Sequence, residues 1–147
     1  MGDVRHLGQA GVYRVASELS LRGLEVYFPS VDVGIDLLTG TGKRIQIKTA
    51  TLRERKQGRA YYIGFGWNQA GTKRRAKRRA RSYSEEVDVV VIWGVDNNRF
   101  WIVPANVFDN HSCLMLREDK TAAPYERSGG FCQDVYKYEN RWDLITG

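Results

Sequence analysis

The sequence predicts an α/β fold of the α+β sandwich type, a mixed central sheet flanked by helices. Three observations carry that expectation. Near the N-terminus, Val4, Leu7, Gly11, Val15 and Leu19 recur at intervals of three and four, the period of an amphipathic helix. From Val31 to Ala50, in VDVGIDLLTGTGKRIQIKTA, apolar and polar residues alternate on either side of Thr39-Gly40-Thr41-Gly42, the pattern of two short strands joined by a tight turn. Later, Val87 to Trp93 reads VDVVVIW, a continuous apolar run that fits a central strand covered on both faces.

In chain order, the helix is expected from Asp3, placed as its N-cap, to Arg22, with Gly23 as its left-handed stop. Glu18 falls on or beside the apolar stripe, where a carboxylate needs a cation or a metal to receive it; Arg14 and Arg22 stand at i,i+4 as surface partners. Leu24, Val26 and Phe28 alternate as a strand that ends at Pro29. In the hairpin that follows, Gln46 and Lys48 share one face, and Ile45 and Ile47 share the other. If the turn centres near Thr41, Asp36 pairs opposite Ile45 or Gln46. One of these registers puts Asp36, Gln46 and Lys48 on a single face.

Arg53 to Arg59 reads as a charged loop, and Tyr61 to Phe65 as a strand whose Gly64 and Gly66 mark a bulge or a close approach by another backbone. A short basic helix follows, its inward stripe formed by Ala76 and Ala80. After the VDVVVIW strand, Asp96-Asn97-Asn98 turns the chain into a strand from Arg99 to Val103 that Pro104 ends. Ala105 to Phe108 is expected as a helical turn, Cys113 to Leu116 as a short strand and Asp119 to Gly130 as a loop. In the tail, Tyr136, Tyr138 and Trp142 are expected as packing residues.

At 147 residues, 42% apolar and 12% aromatic, the chain is expected to form one domain, residues 1–147, with its own core. No run approaches the roughly eighteen apolar residues of a membrane helix, and the N-terminus lacks the apolar core of a signal peptide. A cytoplasmic protein without membrane contact is expected. Cys113 and Cys132 have no metal-binding spacing with His6 or His111, so reduced structural thiols are the default.

The net charge of +6 is unevenly placed. Lys73, Arg74, Arg75, Lys77, Arg78, Arg79 and Arg81 exceed it by themselves, leaving the rest of the chain slightly acidic. Like charges this dense repel one another unless a polyanion is near, so nucleic acid is the expected partner.

Glu18 on the first helix, Asp36 on the second strand and Gln46-Ile47-Lys48 on the third together resemble the PD-(D/E)xK nuclease superfamily. The chain departs from that pattern at Gln46, where an acid is usual. A Q-x-K variant occurs in bacterial group I intron-associated homing endonucleases, and GQAGVYRVASELSLRGLEVYFPS, QIKTA, the VDVVVIW…FWIVPANVF hairpin and RWDLI are similar to that branch.

The resemblance implies a restriction-endonuclease-like core and a metal-dependent endonuclease that hydrolyses duplex DNA in a site-specific, homing manner. It implies Mg²⁺, with Mn²⁺ as a substitute, held by Asp36, Glu18, Gln46 and the carbonyl of Ile47, with Lys48 handling the attacking water. Asp32 is a lesser candidate for an auxiliary acid. Gln46 makes the site one negative charge poorer than the usual trio, so a second metal is expected to bind weakly. The basic segment would hold phosphates, and Arg53, Arg55, Lys56, Gln57 and Arg59 would read bases. A double-strand cut needs two sites, hence a homodimer or tetramer. The runner-up is a four-way (Holliday) junction resolvase. From another class, the chain would be a non-catalytic nucleic-acid-binding protein with a decayed site.

Overall fold

The computed structural model describes residues 4–31, 34–56, 58–65, 83–109, 111, 113–119 and 135–147. The expected cap at Asp3, Asp32, Gln57, the basic segment Lys73–Arg81 and most of the 119–130 loop lie outside the described residues. Among the described residues no helix is long and apolar enough to cross a membrane.

Helix α1 (Val4–Leu21) forms where the three-four periodicity predicts it. It stops at Gly23, whose φ of +88° is open to glycine at little cost, and Leu24 N–H closes the end on the Leu19 carbonyl at 3.0 Å. Val15 and Leu19 are completely buried, each worth roughly 1.5–3 kcal/mol of apolar burial.

Strands β1 (Val26–Tyr27), β2 (Leu37–Thr39) and β3 (Arg44–Ala50) form an antiparallel run. The β2–β3 turn closes with Thr39 N–H on the Lys43 carbonyl at 3.0 Å and Gly42 N–H on the Thr39 carbonyl at 2.9 Å. Leu37 pairs with Ile45 and ends the ladder, a register that, continued by one residue, sets Asp36 toward Gln46.

The expected charged loop at Arg53–Arg59 is instead a hairpin: β4 (Leu52–Arg55) pairs antiparallel with β5 (Gly58–Gly64). Polar composition hides β4 and the start of β5, because no apolar alternation marks them, whereas Tyr61–Gly64 is strand as expected. A short helix α2 (Tyr83–Glu86) leads into β6 (Val89–Gly94) and β7 (Arg99–Pro104). A 3₁₀ turn at Ala105–Phe108 precedes β8 (Cys113–Arg117). A second 3₁₀ turn (Val135–Tyr138) and α3 (Asp143–Thr146) follow.

The first sheet has the order β1-β2-β3-β6-β7, with β3 and β6 parallel and the other pairs antiparallel, so it is mixed. As the VDVVVIW run predicts, β6 is buried on both faces: Val89 and Val91 face one core, Val90 and Ile92 the other. The first core lies under α1, with Leu37, Ile45, Ile47 and Ile102. The second lies under a three-stranded sheet, β4-β5-β8, which covers the face opposite α1 with Tyr61, Ile63 and Leu116. Trp142 is buried, as expected of a packing residue.

The start of β3 is pinned to β6. Asp88 accepts from Arg44 N–H at 2.9 Å, and its two oxygens take the Arg44 guanidinium at 3.3 and 3.1 Å. Those guanidinium hydrogen bonds hold the Asp88 carboxyl below its ordinary range, with the backbone bond acting in the same direction.

Candidate functional site

Asp36 sits where the β2 ladder ends. Its N–H donates to the Ile45 carbonyl at 2.9 Å, and its Oδ2 accepts from the Ile47 N–H at 2.7 Å. A carboxylate oxygen on a backbone N–H this short is a charge-assisted bond, so Asp36 is fixed against β3 rather than free to rotate. The N–H and C=O of one strand residue project to the same edge, so the Ile47 carbonyl also projects toward Asp36.

Gln46 is 8% exposed, and its Oε1 is buried with no hydrogen-bond partner. Leaving a buried amide oxygen unsatisfied costs about 1–3 kcal/mol. Ile45 and Ile47 point into the α1 core, so Gln46 and Lys48 face the other way, on the side of the second sheet. Lys48 is half-buried, and its Nζ lies 5.8 Å from the centroid of the Tyr83 ring, within cation–π range. Tyr83 is fully buried, donates its hydroxyl to the Phe65 carbonyl at 3.1 Å and packs edge-on against Phe65. Tyr83 is a site residue that the sequence alone does not single out. Its one signal is an aromatic residue set between serines ahead of two glutamates, in Ser82-Tyr83-Ser84-Glu85-Glu86.

The structure thus brings Asp36, Gln46 and the backbone of Ile47 together, with Lys48 on the same face of β3. Glu18 is placed differently. Its carboxylate takes Arg14 at 3.0 Å and Arg22 at 3.6 Å, the i,i+4 partners that the sequence offers. Those guanidiniums lie 5.0 Å over the Phe100 ring and 4.8 Å over the Trp142 ring, on the β7 and α3 flank of α1. Asp36 belongs to the β2 side. Among the described residues no three His, Cys, Asp or Glu side chains form a metal-holding group.

Arg53, Arg55 and Lys56 are exposed on the β4–β5 hairpin rather than in a loop. Arg59 is committed elsewhere: its guanidinium grips Glu118 through two bonds of 3.0 and 2.7 Å. Asn97 and Arg59 both donate to Glu118 and keep its carboxyl below the ordinary range.

A divalent cation fits these donors. Asp36, the Gln46 amide oxygen and a backbone carbonyl are all hard oxygen ligands, and a cation would satisfy the orphaned Gln46 Oε1.

The solved structure of a bacterial homing endonuclease, I-Ssp6803I, superposes on this chain with a TM-score of 0.78 at 21% identity, covering 98% of this chain and 93% of that one. This likeness shows a shared, restriction-endonuclease-like fold. No curated protein sequence matches significantly. The family model for PD-(D/E)XK endonucleases matches residues 3–130, most of the chain. The chain therefore belongs to the PD-(D/E)XK endonuclease family.

Proposed function

We propose that this endonuclease hydrolyses phosphodiester bonds of duplex DNA at specific sites and requires a divalent metal, Mg²⁺ with Mn²⁺ as a substitute. The observation that carries the reading is Asp36, clamped by its 2.7 Å bond to Ile47 N–H, across from a buried and unpartnered Gln46 Oε1.

Asp36, Gln46 Oε1 and the Ile47 carbonyl would hold the metal. When bound, it acidifies a water and polarises the phosphoryl oxygen. The Lys48 ammonium would orient the attacking water and offset charge building on the phosphate. The Tyr83 ring walls one side of that ammonium and limits where it points. The bond from Ile47 holds Asp36 in place before substrate arrives, so little reorganisation is needed at the moment of reaction. Glu18, already engaged by two arginines, is assigned to supporting α1 instead of to the metal.

The basic segment Lys73–Arg81 would neutralise the phosphates of the duplex and make binding steeply salt-dependent. Cutting both strands requires two sites, and a homodimer or tetramer supplies them. Cleavage assays on linear duplex, supercoiled plasmid and a synthetic four-way junction, with Mg²⁺ and with EDTA, test the proposal. Metal-dependent cutting of duplex at discrete positions is expected. Preferential junction cutting would make the protein a resolvase, and binding without cutting under any metal would make it a non-catalytic module.

A further inference from the structure

We infer that Arg53 and Arg55 are specificity-determining residues, carried on the β4–β5 hairpin, whose two-stranded tip beyond the Ala60–Arg117 pair enters the major groove of the DNA next to the active site. The inference rests on the nuclease reading and adds to it how the target is read.

Alternation along β4 puts Arg53 and Arg55 on one face and Glu54 on the other. On their own face the directly opposite residues are Ala60 and Gly58, both small, with Tyr62 as the diagonal neighbour of Arg53. The opposite face is anchored. Glu54 pairs with Arg59 across the ladder, Arg59 grips Glu118, and Asn97 from the β6–β7 turn donates to the same Glu118 at 3.0 Å. The base of β4 is tied down as well, with Leu52 N–H on Asp96 Oδ1 at 2.9 Å. The hairpin is therefore fixed from behind, cationic in front and two-stranded at its Arg55–Gly58 end.

Arginine pairing sets these two apart. Arg14, Arg22, Arg44, Arg59, Arg99 and Arg141 are each ion-paired to a carboxylate, whereas Arg53 and Arg55 are exposed and have no such partner among the described residues. Two exposed arginines on one face of one strand, without a carboxylate partner among the described residues, are available to an external acceptor. The major groove admits a two-stranded β-ribbon, and an arginine fork bonds guanine O6 and N7 bidentately.

Position supports duplex DNA as that acceptor. β4 follows β3 directly, so the chain from Lys48 to Arg55 spans at most about 25 Å. At about 3.4 Å per base pair, the bases read lie within about seven pairs of the cut.

Binding selection from a duplex library randomised at its centre, run on the full chain as wild type, Arg53→Ala, Arg55→Ala and Arg53→Lys, tests this. Thermal melting of each variant controls for folding. Wild type should select a preferred base at positions close to the cut. Each alanine variant should lose about 10- to 100-fold of the discrimination at one position while the salt slope stays nearly unchanged. Arg53→Lys keeps the charge but not the planar fork and should also lose discrimination.

A uniform loss of affinity at every sequence, with the slope shallower by about 0.9 per variant, would make both residues phosphate contacts and overturn the inference while leaving the nuclease reading standing. Unchanged selection in all variants would overturn it too. A wild type that binds no duplex would overturn both.

Discussion

The Ile47 N–H donates to Asp36 Oδ2 at 2.7 Å, locking the one acid of the β2–β3 hairpin against the strand that carries Gln46 and Lys48. The arrangement is poor in negative charge, because the position beside Asp36 holds a buried amide. Gln46→Glu restores a second carboxylate. We expect Mg²⁺ affinity, read by calorimetry on the DNA-free protein, to rise about tenfold or more, the range of an added charged ligand. Unchanged affinity would place Gln46 away from the metal.

Glu18→Gln should separate the two roles open to that residue. Ion pairs of this partial exposure are worth about 1 kcal/mol or less, so melting should fall only slightly, and Arg14→Ala in the same background should add less than its separate cost. Cleavage should stay within about twofold, well short of the 10²–10⁴-fold effects of groups that act on the reacting atoms. A hundredfold loss with unchanged melting would return Glu18 to the metal.

Gly11 is where α1 comes closest to β3. A Cβ there would overlap Thr49 Oγ1 and lie 3.3 Å from Thr49 Cβ. Gly11→Ala gains about 1 kcal/mol of helix propensity but incurs overpacking of about 1–3 kcal/mol, so the net change is destabilising. The Thr49 hydroxyl is buried and unpartnered. Thr49→Ala should therefore be nearly neutral alone and should restore much of the stability of Gly11→Ala, both read from urea midpoints.

The Arg44–Asp88 pair gives a pH dependence of known sign. Asp88 is held below its ordinary carboxyl range in the folded state, so its stabilisation is present above the unfolded value and is lost as pH falls through the folded one. Asp88→Asn keeps an acceptor for the Arg44 N–H but loses the ion pair. Near neutral pH it should unfold at lower urea, by about 1 kcal/mol, and the gap from wild type should close below about pH 4. A gap that persists in acid would assign the effect to the backbone bond.

The hairpin and the β6 strand were legible because their signals are local. Period-two alternation fixes which residues flank Gln46 and Lys48, and the Gly40-Thr41-Gly42 turn fixes the register that places Asp36. The place of Glu18 was half legible: helical spacing puts it beside the apolar stripe, but which flank of α1 faces β2 depends on how the helix docks. β4 and the first residues of β5 escaped because they are almost all charged or glycine and were expected as a loop, and their sheet is completed by β8, far along the chain. Tyr83 escaped for a related reason, since its approach to Lys48 is a long-range contact.

Cleavage of linear duplex DNA, followed over a Mg²⁺ titration in wild type, Asp36→Ala and Lys48→Ala, tests the proposed site most directly. Discrete products in wild type, absent with EDTA and reduced about 10²–10⁴-fold in both variants while all three still bind DNA, are the expected result. Equal cutting by wild type and either variant would contradict the assignment of the chemistry to Asp36 and Lys48.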